Sequence, residues 1–278
     1  MCRLGPPPLA RSSPMLFPLS DDDRGLNGPA WGTLLFIALN VLVFAYQLAD
    51  PSFTYGWSVV PQEITSGVDL ANDRPTWEED PSVQITSARD IPQRPGPGDA
   101  PLIYLTVLTA MFMHGGWGHI AGNMLYLWIF GDNVEHRFGT RLFVLFYLAG
   151  GVVATLVQVA LQPLGLVPNL GASGAIAGVL GAYLVLFPRN RVNAVFFFRV
   201  VSIPAVAVLG LWIAMQFFNQ WGATAATEET GGVAYGAHIG GFLAGMAMAL
   251  AVRASGVGER PNRLSRVAEA NPNNHRLW

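Results

Sequence analysis

Residues 171–187, GASGAIAGVLGAYLVLF, and residues 234–252, AYGAHIGGFLAGMAMALAV, decide the reading of this chain. Each is an apolar stretch of helix length, and each carries one side chain foreign to hydrocarbon, Ser173 in the first and His238 in the second. Polar and ionisable side chains are costly at membrane depth and face the bundle interior or a water-filled cavity. A serine and a histidine that meet there have the makings of a nucleophile and its base. Small residues surround both. Gly174, Ala177, Gly178 and Gly181 form a face that begins at Ser173, and Gly241 and Gly245 form a GxxxG beside His238. Such faces let helices approach closely, which a Ser–His hydrogen bond of ~2.6–3.2 Å requires. Each feature also has a plainer reading. Ser173 can be a helix N-cap, His238 a satisfied packing residue, and the glycines packing without chemistry. The segment also departs from the soluble-hydrolase elbow G-x-S-x-G, because Ala175 stands where the last glycine belongs. Against the packing reading of His238, hydrocarbon offers an imidazole no partner.

The rest of the chain agrees with a membrane setting. Of 278 residues 51% are hydrophobic and 12% charged, against about 25% charged in a soluble domain. Six stretches approach the ~20 residues that a bilayer core requires: Ala30–Ala49, Gly118–Glu135, Thr140–Gln162, Ala172–Phe187, Val200–Phe218 and Ala234–Val252. The fold class expected is therefore all-α, a polytopic bundle of six transmembrane helices. A further apolar run, Pro101–Met113, is shorter and reads as re-entrant or interfacial. Every basic residue is arginine. With the N-terminus in the cytoplasm, thirteen arginines fall inside and three (Arg74, Arg89 and Arg94) fall in the first outer loop. That bias supports both the even span count and the orientation. The first outer loop, about residues 50–116, is long, and its middle at Asp69–Ala100 is rich in Pro, Asp and Arg and reads as irregular. Residues 1–27 read as a mobile cytoplasmic tail, their apolar run Met15–Leu19 being too short for a signal peptide. Residues 255–278 read as a disordered cytoplasmic tail. Net charge is −2, so charge makes no case for nucleic acid. Cys2 is the only cysteine, which excludes an intrachain disulfide and a multi-cysteine metal site.

A third element, HGGWGHIAGN at 114–123, heads the second span. His119 and Asn123 are four apart and project from one helix face. Two polar donors aimed together at an anionic oxygen meet the oxyanion-hole requirement of acyl transfer. A metal site of His114, His119 and His238 is the competing reading. His114 and His119 are five apart, off one face, and no carboxylate or thiol lies nearby to complete the shell. Asp132 and Glu135 are the only acids within the spans. They fall at the cytoplasmic end of the second span, roughly 20 Å from the outer half where Ser173 and His238 lie. The sequence therefore supports a Ser–His dyad without an aspartate.

Taken together, these motifs resemble the rhomboid family of intramembrane serine proteases, over roughly residues 28–254. The resemblance implies Ser173 as nucleophile, His238 as base, and His119 and Asn123 as oxyanion-hole donors, with Gly171 matching the first position of the family's GxSG. Glu135 and Arg137 in GDNVEHRFG match its E-x-R segment, a structural turn, and Gln158 matches a polar position thought to retain water near the dyad. The Trp-Arg dipeptide of the family's first loop is missing. A tyrosine that some members carry four residues after the serine, packed on the histidine, is here Ala177.

The resemblance further implies an endopeptidase of the cytoplasmic membrane that needs no cofactor or metal. Its active site would open to the extracytoplasmic side, and its partners would be single-pass membrane proteins and the bilayer. Phe217, Phe218 and Trp221 would gate the site or anchor the fifth span at the interface. A catalytically inactive scaffold that binds membrane helices is the alternative from another class. A transporter is weaker, since the inner halves of the spans offer almost no ionisable path.

Overall fold

The computed structural model describes residues 17–22, 26, 28–70, 96–98, 101–196, 199–226 and 234–256. Most of the first-loop middle, residues 227–233 after the fifth predicted span and most of both tails lie outside the described residues. Six long helices fall on the six apolar stretches: α1 (Trp31–Ala49), α5 (Trp117–Phe138), α6 (Thr140–Leu161), α7 (Ser173–Leu186), α8 (Ala205–Ala226) and α9 (Tyr235–Ser255). By length and composition α1, α6 and α9 are each long and apolar enough to cross a membrane, while α7 is apolar and shorter. Short helices α2 (Pro51–Trp57) and α3 (Pro61–Ser66) follow α1. The apolar run before α5 is a broken helix, with α4 (Thr106–Thr109) between the 3-10 turns Leu102–Leu105 and Ala110–Phe112.

The short helix is the centre of the molecule. Every residue of α7 from Gly174 to Tyr183 is buried, as expected of a helix that is apolar all round. The packing of α7 on α9 depends on missing side chains. A Cβ on Gly241 would sit 2.1 Å from the Gly174 carbonyl oxygen, one on Gly245 1.9 Å from that of Gly178, and one on Gly181 2.1 Å from that of Phe242. Backbone therefore meets backbone along the whole contact, as small-residue faces allow. Away from Ser173, aromatic rings fill the core. Phe36 of α1 stacks on Tyr147 of α6 at 4.0 Å, and Phe130 of α5 meets Tyr183 of α7 edge to face at 5.0 Å.

Glu135 ties three helix ends together. Its carboxylate accepts from the backbone N–H groups of Gly32 (2.8 Å) and Thr33 (2.7 Å), and from the hydroxyls of Thr33 (2.9 Å) and Thr140 (2.6 Å). No side chain of its own caps α1, so the buried acid satisfies two of the N–H groups that any helix start leaves open, and its charge suits the positive end of the dipole.

The chain is not wholly α. Strands β1 (Phe17–Ser20), β2 (Arg191–Phe196) and β3 (Arg199–Pro204) form an antiparallel sheet in the order β1-β2-β3. The expectation of an all-α fold is corrected here, and so is the fifth apolar stretch, whose first residues Val200–Pro204 are strand. Valines and an isoleucine alternate with polar residues through this hairpin, which suits a half-buried strand; Val192 and Ala194 point inward, fully buried. Part of the N-terminal tail is likewise placed rather than free. Phe17–Ser20 pairs with β2, and the Asp21 carboxylate accepts from Tyr183 Oη at 2.5 Å and Asn133 Nδ2 at 2.8 Å.

Candidate active site

Ser173 is the first residue of α7, and His238 lies one turn into α9. The close approach of these helices brings the two side chains together, with Ser173 Oγ 2.8 Å from His238 Nε2. On the other side of the ring, Nδ1 lies 2.9 Å from Gln216 Oε1 of α8. A carbonyl oxygen only accepts, so Nδ1 carries the proton and donates it to Gln216. Nε2 is left with its lone pair, and Ser173 donates its hydroxyl proton there. That is the tautomer a general base requires. The imidazole also lies beside Trp212 of α8, at 5.8 Å between ring centroids, and meets Tyr235 edge-on at 6.5 Å.

Gly171 explains the spacing before the serine. Its φ is +131°, a conformation that side chains rarely adopt, and a Cβ there would lie 2.9 Å from Cε1 and Nε2 of His119 and 3.6 Å from Ser173 Oγ. His119 is thus packed against the turn that delivers the serine. Its Nδ1 accepts from the Gly115 N–H at 3.3 Å, which leaves the proton on Nε2, the nitrogen nearest that turn. Asn123, one turn further along α5, is buried, and its Nδ2 has no hydrogen-bond partner among the described residues. A buried donor left open costs roughly 1–3 kcal/mol, a cost that a transient acceptor would relieve.

The loops around the site are pinned by backbone pairing. Val59 and Asn169 exchange two backbone hydrogen bonds (3.0 and 2.7 Å), and the Gly171 N–H donates to the Ala110 carbonyl at 2.9 Å. Gln47 of α1 clamps the backbone of His114, accepting from its N–H at 2.9 Å and donating to its carbonyl at 3.2 Å. A cavity lined by Gln158, Thr155, Met111, Asn169 and Gly171 opens beside Ser173. Gln158 Oε1 accepts from the Ala237 N–H at 3.1 Å, which joins α6 to the start of α9. His114 and His119 lie edge to face at 5.1 Å, and no group of three potential metal ligands gathers among the described residues. Phe217, Phe218 and Trp221 are all exposed, on the outer side of α8.

A family model, the Rhomboid domain, matches residues 103–255, a span that includes His119, Asn123, Ser173, Gln216 and His238. This chain belongs to the rhomboid family. Among curated rhomboid relatives, it is 32% identical to Rhomboid protein 1, mitochondrial, of Saccharomyces cerevisiae, over 51% of this chain and 40% of that protein. It is 33% identical to Rhomboid protease GluP of Bacillus subtilis, over 52% of this chain and 26% of that protein. The bovine presenilin-associated rhomboid-like protein, mitochondrial, is 32% identical over 60% of this chain and 42% of its own length. The chain thus spans less than half the length of each of these three relatives.

Sequence reasoning missed Gln216. It is buried in α8 among exposed apolar neighbours, and a lone amide at membrane depth is the signal that would have found it. Asp21 was missed as well, because it sits in a tail rich in proline and aspartate that reads as unstructured.

Proposed function

We propose that this rhomboid is an intramembrane serine endopeptidase that cleaves peptide bonds in or near the transmembrane segments of single-pass membrane proteins. The observation that carries the reading is the 2.8 Å contact between Ser173 Oγ and Nε2 of His238. Residues 28–254 act as the protease domain, a bundle of six membrane-spanning helices with a long extracytoplasmic first loop at 50–116. Residues 1–27 and 255–278 are cytoplasmic, and the site opens on the extracytoplasmic face of the cell membrane. The arginine bias is the support for this orientation.

In the first step His238 Nε2 takes the proton of Ser173 as Oγ attacks the scissile carbonyl. The charge that develops on the carbonyl oxygen is met by the Ser173 backbone N–H, which a helix start leaves without an intrahelical acceptor, and by His119 Nε2–H and Asn123 Nδ2–H. Fixed donors of this kind are each worth about 10²–10³ in rate. His238 then passes its proton to the leaving amine, and water releases the acyl group by the reverse sequence. A substrate helix has to unwind to reach Ser173, since its carbonyls are otherwise held in hydrogen bonds.

The test is cleavage of a single-pass substrate by the purified protein in liposomes, with Ser173→Ala in parallel and fluorophosphonate labelling of both. Cleavage and labelling that vanish together in the variant are expected. Cleavage that survives in the variant would refute the dyad. A wild-type protein that neither cleaves nor labels would favour the helix-binding scaffold.

A further inference from the structure

We propose that Gln216 is a positioning residue for the base, and that α8, through Gln216 and Trp212, holds the imidazole of His238 in its reactive tautomer and orientation. This rests on the dyad reading above and goes beyond it, because that reading gives His238 no third partner.

Among the described side chains of α8, the buried ones are Ala205, Leu209 and Gln216, and the partly buried Trp212 lies between the last two. They follow one another at four, three and four residues, a single stripe along the helix. Phe217, Phe218 and Trp221 turn outward. The inward stripe is apolar except at Gln216, and that amide ends on His238 Nδ1 at 2.9 Å. One turn earlier Trp212 stands between His238 (5.8 Å) and Phe242 (6.1 Å) at interplanar angles of 37° and 36°. One helix face therefore supplies both an acceptor for the ring N–H and an aromatic wall beside the ring. The position four residues after the serine, Ala177, is too small to reach the imidazole in their place.

The chemistry of an amide differs from that of a carboxylate. Gln216 Oε1 keeps the proton on Nδ1 and fixes the ring angle, as a triad aspartate does, but it stays neutral throughout. During acylation the Ser173 proton moves to Nε2, the positive ring keeps its Nδ1–H on Gln216, and no proton passes to the amide. Orientation is supplied without a full countercharge. Among the described residues, His119 of α5 and Tyr235 of α9 are the titratable groups near the ring, and α8 brings no charge to it.

The experiment compares wild type, Gln216→Leu and Gln216→Glu in liposomes. It follows the pH dependence of fluorophosphonate labelling at Ser173 and kcat and KM on a single-pass substrate. Gln216→Leu keeps the volume and removes the acceptor. Its labelling rate and kcat should fall about 10–100-fold with KM little changed, by analogy with the loss of a partner that orients a metal-bound imidazole. Gln216→Glu restores an acceptor and adds charge. It should recover the rate and move the acidic limb of the pH profile upward, since a carboxylate favours the protonated ring. Nitrogen-15 spectra of histidine-labelled protein, with the His238 signal assigned by its loss in His238→Ala, should show Nδ1 protonated in wild type and a tautomer mixture in Gln216→Leu. This readout needs no turnover. Labelling of Gln216→Leu at the wild-type rate, with the same pH profile and tautomer, would overturn the proposal and leave the dyad standing. A folded wild type that does not label would overturn the dyad reading itself.

Discussion

Replacing Gly241 by alanine is the most direct test of how the fold makes the site. The new Cβ would be placed 2.1 Å from the Gly174 carbonyl oxygen and 3.3 Å from the Ala154 methyl. The obstruction is backbone, so no rotamer change relieves it. A close-packed interior then moves as a unit, and α9 has to retreat from α7 by about 1 Å. Gly241 is one turn from His238, and Gly174 is the neighbour of Ser173, so nearly all of that retreat is felt at the dyad. Its 2.8 Å contact would open to about 3.8 Å, beyond hydrogen-bond reach. A misplacement of about 1 Å at reacting groups costs on the order of 10²-fold in rate. Overpacking of this kind costs roughly 1–3 kcal/mol in stability, so the variant should remain folded. The assay is the rate of fluorophosphonate labelling at Ser173 in liposomes, with circular dichroism as the control for folding. Labelling of folded Gly241→Ala at the wild-type rate would refute the argument that the glycine face sets the Ser–His distance.

Three further outcomes are expected. Asn123→Ala should lower kcat about 10²–10³-fold yet leave thermal stability unchanged or slightly raised, because the Nδ2 it removes is a buried donor without a partner among the described residues; thermal melts beside cleavage rates would check both halves. Glu135→Ala should destabilise by about 3 kcal/mol or more, since it strands the N–H groups of Gly32 and Thr33, while the folded fraction keeps its labelling rate per molecule. His114 is the source of an acid sensitivity. Burial, then the neighbouring His119, push its imidazole down to about 3 from 6.5. The unfolded chain therefore takes up a proton that the fold refuses, so the stability present above pH 6.5 is lost as pH falls toward 3. The slope is at most about 1.4 kcal/mol per pH unit. Denaturation midpoints between pH 7 and 4.5 should fall less steeply in His114→Phe than in wild type.

Much of this protein was legible in the chain itself because hydrocarbon leaves few options. Apolar length located the long helices, since a backbone in lipid has to satisfy itself within a helix. Ser173, His238, His119 and Asn123 stood out because polar side chains are rare in such segments, and the glycines around them foretold close approach. Glu135 was legible as a structural residue through its motif, although the helix start it caps, at Gly32 and Thr33, was not.

Other features depended on contacts between segments far apart in the sequence. Val200–Pro204 is apolar enough to extend a helix, yet it pairs with Arg191–Phe196, and only the presence of that partner makes it a strand. Asp21 gains its place from Tyr183 and Asn133, which are remote along the chain. Gln216 lies 22 residues from His238, and spacing within a helix says nothing about which other helix a side chain will meet. The sequence by itself determined which elements form and which side chains could carry chemistry, because both follow from local composition and the cost of polarity in lipid. The tertiary structure decided which of those side chains meet, because hydrogen bonds between helices depend on distances of a few tenths of an ångström that only packing sets.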